Sequence, residues 1–309
     1  MIKQKQINNV IVEPISFPRM KKKILGAKLF PQESANILLY APKNSGKTIC
    51  VKKIIEECAG KDTHVIIFCA TVHQDKVWLQ IKEDLQKRKI KYTAFTSIFK
   101  DKINVLEVLI QTLQGEDAVE EFEDTPTPQL LKQNQLFKFE DPEQAKPSSG
   151  QFALQTVDCA QMCTGSPGNR FPPLTPVEQI QNKKPKKKKY LAPDYMIIFD
   201  DLSTELKNPS ISKLMKIHRH FSSKIIISTQ SWIDTDPRIR KGNLDYVLIF
   251  QNVPEQVLEQ IYKELSLTIP FGAFKAMYAD ATAEKYHFLY IDRNGTFRKD
   301  FNKEYLIVS

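Results

Sequence analysis

No apolar stretch in this chain of 309 residues is long enough to cross a bilayer, which takes about 20 residues. The opening Met1-Ile2-Lys3-Gln4-Lys5-Gln6 also lacks the apolar core of a secretory signal. No membrane partner is expected, and the chain reads as soluble and intracellular. Cysteine is sparse. Cys50, Cys58, Cys69, Cys159 and Cys163 form no C-x-x-C pair and show no zinc-type spacing with His64, His73, His218, His220 or His287. That pattern excludes a disulfide scaffold or a zinc finger and fits reduced thiols. An Asn-Lys-x-Asp guanine motif is missing too, since Asn182-Lys183-Lys184-Pro185 lacks the aspartate. The residues around Tyr190 offer no aromatic array of the kind single-strand binders use.

What is present begins with charge. The formal net charge is +9, which suggests an anionic partner, most often nucleic acid. Lys183, Lys184 and Lys186 through Lys189 supply much of that excess, so a solvated basic run competes with a phosphate-backbone contact or a nuclear import signal as its explanation. An acidic cluster, Glu116, Asp117, Glu120, Glu121, Glu123 and Asp124, precedes a stretch rich in Pro, Ser and Gly. Residues 115–190 therefore read as a low-complexity, flexible insertion. The expected organisation is an N-terminal extension over 1–30, a first core half over 31–114, the insertion, and a second core half over 191–309.

The core halves carry a strand and helix rhythm. Asn36 to Tyr40, His64 to Ala70, Tyr92 to Phe95, Tyr195 to Phe199, Lys224 to Thr229 and Val247 to Phe250 read as strands, most of them continuous apolar runs covered on both faces. Helical stretches fall at 49–60, 77–85, 105–113 and 255–265, with an amphipathic segment around Ile211 to His218. Near the end Asn294-Gly295 separates two short strand patterns and predicts a hairpin. The fold class expected is α/β, a mostly parallel central sheet flanked by helices, with a C-terminal β-hairpin.

Directly after the first strand comes Ala41-Pro42-Lys43-Asn44-Ser45-Gly46-Lys47-Thr48, a phosphate-binding loop opening a helix. Its backbone N–H groups would wrap phosphate, Lys47 would reach the β and γ oxygens, and the Thr48 hydroxyl would ligate magnesium. Ala41 stands where the usual first glycine would be and is tolerated if its φ stays negative. Asp200 ends an apolar strand, where a carboxylate can hold magnesium, and Asp201 can polarise an attacking water as general base. A helix N-cap pair or a turn is the plain alternative for these two aspartates. Gln230 ends the strand at 224–229, placed to sense the γ-phosphate or orient water, with a backbone-bonded loop amide as its alternative.

Together the blocks APKNSGKT (41–48), YMIIFDDL (195–202), HRHFSSKIIISTQ (218–230) and DPRIRKGNLDYVLIF (236–250) resemble the FtsK/HerA superfamily. Within it they look like the genome-packaging ATPases of poxvirus-like large DNA viruses, virophages and Polinton-type elements. The resemblance covers roughly 31–110 and 191–265. It implies an ASCE-type P-loop fold with ATP and Mg2+ as cofactors, assembly as a homo-oligomeric ring, usually a hexamer, and pumping of double-stranded DNA into a preformed capsid. A capsid portal or vertex protein would be a further partner, and the host cytoplasm, nucleus or virion the place of action. By position it makes Lys47 and Thr48 the phosphate and magnesium residues, Asp200 the metal carboxylate, Asp201 the base and Gln230 the sensor. Many relatives outside the viral branch carry Glu where this chain has Asp201.

A ring ATPase also takes a cation from the neighbouring subunit. Arg240 is the first choice for it, with Arg238 and Arg219 as rivals and a surface arginine or helix-end salt bridge as the alternative for each. Other readings of the chain are a helicase or nucleoprotein-remodelling ATPase, a small-molecule kinase of the P-loop type, and a nucleotide-dependent assembly scaffold that does not hydrolyse. Against the kinase, the sequence has no arginine-rich lid and Gln230 would be unexplained.

Overall fold

The computed structural model describes residues 23–118, 190–202 and 204–306. All of them belong to one compact unit. The expected insertion lies almost wholly outside the described residues, as does the lysine run at 183–189. Most of the expected N-terminal extension is outside them too, but its end is packed: Phe30 is buried against Tyr246, with ring centroids 4.8 Å apart.

In chain order the elements are β1 (Lys23–Ile24), β2 (Ala35–Tyr40), α1 (Lys47–Cys58), β3 (His64–Cys69), α2 (Lys76–Lys87), β4 (Lys91–Phe95), β5 (Phe99–Lys100), β6 (Ile103–Asn104) and α3 (Val105–Ala118). After the insertion come β7 (Tyr190–Leu191), β8 (Tyr195–Asp200), α4 (Pro209–Ile217), β9 (Ser223–Thr229), α5 (Pro237–Arg240), β10 (Tyr246–Phe250), α6 (Glu255–Glu264), α7 (Phe271–Ala281), β11 (Phe288–Asp292), β12 (Phe297–Lys299) and β13 (Lys303–Glu304). Among the described residues no helix is long and apolar enough to cross a membrane.

Nine strands make one sheet in the order β13-β12-β11-β10-β2-β9-β8-β3-β4. The six from β10 to β4 are parallel, and β11, β12 and β13 extend the edge antiparallel. The mostly parallel α/β sheet expected from the sequence is what the chain forms. Its strand order explains the composition: β2, β9 and β10 are buried along their whole length, as central parallel strands covered on both faces must be. Placing β9 between β2 and β8 is the decisive feature, because it brings the ends of three separate sequence blocks side by side.

Helix starts follow their local chemistry. The Asp75 carboxylate accepts from Val77 N and Trp78 N to cap α2, whose Trp78, Ile81 and Leu85 then face the core at helical spacing. Asn208 caps α4 in the same way, followed by Pro209 at the first helical position. At the carboxyl ends of β4, β3 and β8 the rings of Phe95, Phe68 and Phe199 stack in register, 5.1 and 5.2 Å apart. This aromatic ladder stiffens the strand that delivers Asp200, and truncating such a buried ring costs about 3–5 kcal/mol.

The C-terminal hairpin is present, with a loop longer than a two-residue turn. Only Gly295 of the Asn-Gly pair has positive φ (86°), while Gly295 N donates to Asp292 O and Asp292 N to Thr296 O. That is a type I turn closed by a left-handed glycine, which widens the loop beyond Asn294-Gly295.

Candidate functional site

The segment after β2 starts with Ala41 still in the sheet, its N–H donating to Thr229 O at 3.0 Å. Ala41 is buried and does not take positive φ, so a methyl group is tolerated where a glycine is usual. The left-handed positions of the loop are Asn44 (φ 60°) and Gly46 (φ 88°). Asparagine enters that region more readily than most side chains, and glycine does so freely. The Ser45 hydroxyl donates to Pro42 O at 2.7 Å and closes the loop on itself.

Unlike α2 and α4, helix α1 begins with no side-chain cap, and its first turn holds no acidic residue. Its first N–H groups and the positive end of its dipole therefore face the loop without a built-in anion, the usual preparation for binding phosphate. Thr48 sits in that first turn, half-buried.

The strand order brings Lys47, Asp200, Asp201 and Gln230 together. Lys47 Nζ lies 3.1 Å from Asp200 Oδ1 and donates to Asp201 Oδ1 in a short contact. Gln230 Nε2 donates to the same Asp201 oxygen at 2.8 Å. Burial works against the Lys47 charge, but the two carboxylates outweigh it and hold the ammonium above the usual lysine range. For Asp201, burial pushes the carboxyl up while Lys47 and then Gln230 pull it below its ordinary value. Asp201 also takes a left-handed backbone (φ 54°), which turns its side chain away from the line of β8 and toward Lys47.

Asp200 is almost fully buried. Its Oδ2 accepts from the Trp78 indole Nε1 at 3.1 Å, a supporting contact that sequence reasoning missed because the two residues are 122 positions apart. Its Oδ1 has the Lys47 charge nearby but no well-directed hydrogen bond. A buried carboxylate oxygen left with an open lone pair, beside the lysine that precedes the threonine of the phosphate loop, fits a hard divalent cation. A cleft of about 340 Å³ opens beside the cluster, lined among others by Lys43, Asp201, Thr229, Gln230 and Asp234.

Arg240 is not part of this site. It is buried, paired with Glu264 through Nε (2.7 Å) and Nη2 (3.1 Å), and its Nη1 donates to Trp232 O and Thr235 O. All three guanidinium nitrogens are engaged inside its own chain, where they tie α5 to α6. Of the two rivals, Arg238 is exposed beside Asp236 at 2.9 Å and Arg219 is exposed 3.5 Å from Asp245.

No family model matches the sequence. The uncharacterized protein 075L of Invertebrate iridescent virus 6 is 36% identical over 139 residues, 40% of this chain and 53% of that protein, so the match spans about half of that relative's length. Among solved structures the chain is similar to B204, the DNA-packaging ATPase from Sulfolobus Turreted Icosahedral Virus, with 14% identity and a TM-score of 0.46 over 90% of this chain and 99% of that one. It is also similar to the genome packaging NTPase B204 from Sulfolobus turreted icosahedral virus 2 in complex with AMP, at 14% identity and a TM-score of 0.45 over 90% and 98% of the two chains. The pCW3 conjugation coupling protein TcpA with ATPgS follows, at 12% identity and a TM-score of 0.39 over 83% and 57%.

Proposed function

We propose that the chain is an ATP-hydrolysing motor that moves double-stranded DNA, and that its task is to package a viral genome. The observation that carries the reading is the meeting of Lys47, Asp200, Asp201 and Gln230 at the carboxyl ends of three adjacent strands, above the uncapped start of α1. A phosphate loop alone would serve many enzymes. A second carboxylate beside the metal carboxylate, held by an amide from an intervening strand, serves attack by water.

In this reading the first turn of α1 and the loop amides hold the phosphates, while Thr48 and Asp200 would hold Mg2+, which would supply positive charge to offset that of the phosphate oxygens. Lys47 then leaves the aspartates for the β and γ oxygens. That exchange removes the pull that keeps Asp201 acidic, so its carboxylate becomes a better proton acceptor only once the triphosphate is in place. Asp201 takes the proton of a water attacking the γ-phosphorus in line, the bond to the β–γ bridging oxygen breaks, and ADP and phosphate are released. Gln230, freed from the shared oxygen, orients that water or registers loss of the γ-phosphate. Assembly as a homo-oligomeric ring, usually a hexamer, around the duplex and docking on a capsid portal or vertex protein are what the sequence resemblance adds to this scheme.

The test is ATP turnover by the wild type and Lys47→Ala, with and without duplex DNA, over a range of salt. Turnover lost in the variant and raised by duplex DNA in the wild type is the expected result. Turnover that ignores duplex DNA at every salt concentration rules out the motor. Strand-displacement assays separate a duplex motor from a helicase.

A further inference from the structure

Tyr286, in the turn between α7 and β11, is 58% exposed and takes φ 74°, a backbone region that a bulky aromatic residue seldom enters. The turn is nonetheless pinned: His287 Nδ1 pairs with Asp300 Oδ2 at 2.6 Å, and Asp300 Oδ1 accepts from Phe288 N. A strained and exposed ring held in place calls for a use.

Its position supplies one. A Cβ added to Gly46 would stand 3.1 Å from Tyr286 Cδ1, so the ring lies against the last glycine of the phosphate loop. Ile49, three residues on from Gly46 and so on the same face of the start of α1, is another exposed apolar side chain. The register fixes the side. Phe288 pairs with Phe250 and Ile249 with Tyr40, so the turn emerges at the same sheet edge as the loop, beyond β10. Thr229 pairs with Tyr40 from the other flank, which puts Gln230 and Asp201 on the opposite side of the loop. With the γ-phosphate at Asp201 and Gln230, the nucleoside falls toward Tyr286. One face of the ring already attracts a cation, the Lys285 ammonium 4.8 Å from its centre, and an exposed lysine is readily displaced.

The geometry points to Tyr286 as the platform on which the base of the bound nucleotide stacks, with Ile49 beside it. The inference rests on the reading that the loop binds a nucleoside triphosphate. Stacking uses the π-face, so the platform strengthens binding of ATP and GTP alike and leaves the choice between them to other groups.

Calorimetric titration of ATP and of inorganic tripolyphosphate, each with magnesium, tests it on the wild type, Tyr286→Ala and Tyr286→Phe. The alanine variant should bind ATP about tenfold or more weakly, its tripolyphosphate affinity should move by less than about twofold, and phenylalanine should keep both. Tyr286→Gly, which relieves the left-handed backbone while removing the ring, is the second variant and should behave as alanine does. An unchanged ATP affinity in both ring-less variants overturns the platform, and so does a parallel loss for both ligands, which would make the ring a support for Gly46. A wild type that binds tripolyphosphate as tightly as ATP keeps the phosphate loop and removes the platform. Binding of neither ligand by the wild type removes both.

Discussion

Two buried lysines sit at opposite ends of the same pair of strands and meet opposite partners. Lys47 follows β2 at the carboxyl edge of the sheet and faces the side-chain oxygens of Asp200 and Asp201. Lys224 opens β9 at the amino edge, with no exposed surface, and donates to the main-chain carbonyls of Gln32 and of Glu33, the latter at 2.7 Å. Burial pushes Lys224 down to about 8, because carbonyl dipoles replace hydration only in part, and nearby Cys58, Glu33 and Asp245 recover little of the loss. Lys47 goes the other way, since two carboxylates outweigh its burial.

The difference separates a fixed contact from an exchangeable one. Carbonyls at the end of a strand cannot leave, so Lys224 staples the 32–33 turn to the sheet. Carboxylates can change partner when a stronger anion arrives, so Lys47 is held in place yet free to move. The amino edge also carries Asn36, whose side-chain amide donates to Met215 O and Asn243 O and whose main-chain N–H donates to the Asp245 carboxylate. Most polar contacts there bind the chain to itself, although the buried Asn36 Oδ1 has no hydrogen-bond partner, while the carboxyl edge gathers the left-handed Asp201, the equally unbonded Oδ1 of Asp200 and the uncapped helix end.

The comparison breaks most visibly in turnover. Lys47→Ala should lower kcat/KM for ATP by about a thousandfold, roughly 4 kcal/mol of transition-state stabilisation. Lys224→Met, corrected for the folded fraction, should change it by no more than about twofold. Equal losses in the two variants would mean that the distinction between fixed and exchangeable partners has no functional content.

A smaller effect concerns Arg240, which shares the logic of Lys224. Arg240→Ala leaves the Glu264 carboxylate, nearly buried, facing only Trp232 Nε1 and Gln260 Nε2. Breaking such a pair costs about 3 kcal/mol, read as a lower urea midpoint. Mixing this variant with Lys47→Ala subunits should restore no activity, as expected of a structural arginine. Recovery of turnover on mixing would return Arg240 to action between subunits.

Sequence and structure agree where the physics is local. The continuous apolar runs at 36–40, 195–199 and 224–229 became central parallel strands because only strands covered on both faces read that way. Asp200, Asp201 and Gln230 could be singled out because each stands at the end of such a run, and Lys47 because it closes the Gly-Lys-Thr motif of the loop that follows one. What escaped was set by partners far along the chain. Nothing near Arg240 announces Glu264, 24 positions on, and nothing near Trp78 or Tyr286 announces Asp200 or Gly46. Helix α7 was missed for a different reason. Its sequence, Phe271 to Ala281, is apolar on most sides and contains Gly272, so neither period stood out, although Pro270 marks its start. The hairpin of β5 and β6 rests on left-handed Asp101 and Lys102, with no glycine to signal it.

The smallest effect isolates Lys224 by its proton. Folded Lys224 titrates near 8, against about 10.4 in an unfolded chain, so between these values the unfolded state holds a proton that the folded state has lost. Stability then rises with pH across that window, the reverse of what a lysine in an ion pair would give. From pH 8 to 9 the wild type should gain about 1 kcal/mol relative to Lys224→Met, measured by urea unfolding at each pH so that other alkaline titrations cancel in the difference. A lysine gripped by carboxylates, as Lys47 is, would instead lose stability as it deprotonates. Parallel pH profiles for the wild type and Lys224→Met would therefore show that the Lys224 charge is solvated better than its two carbonyl partners allow, and the contrast between the two lysines would collapse to one of exposure.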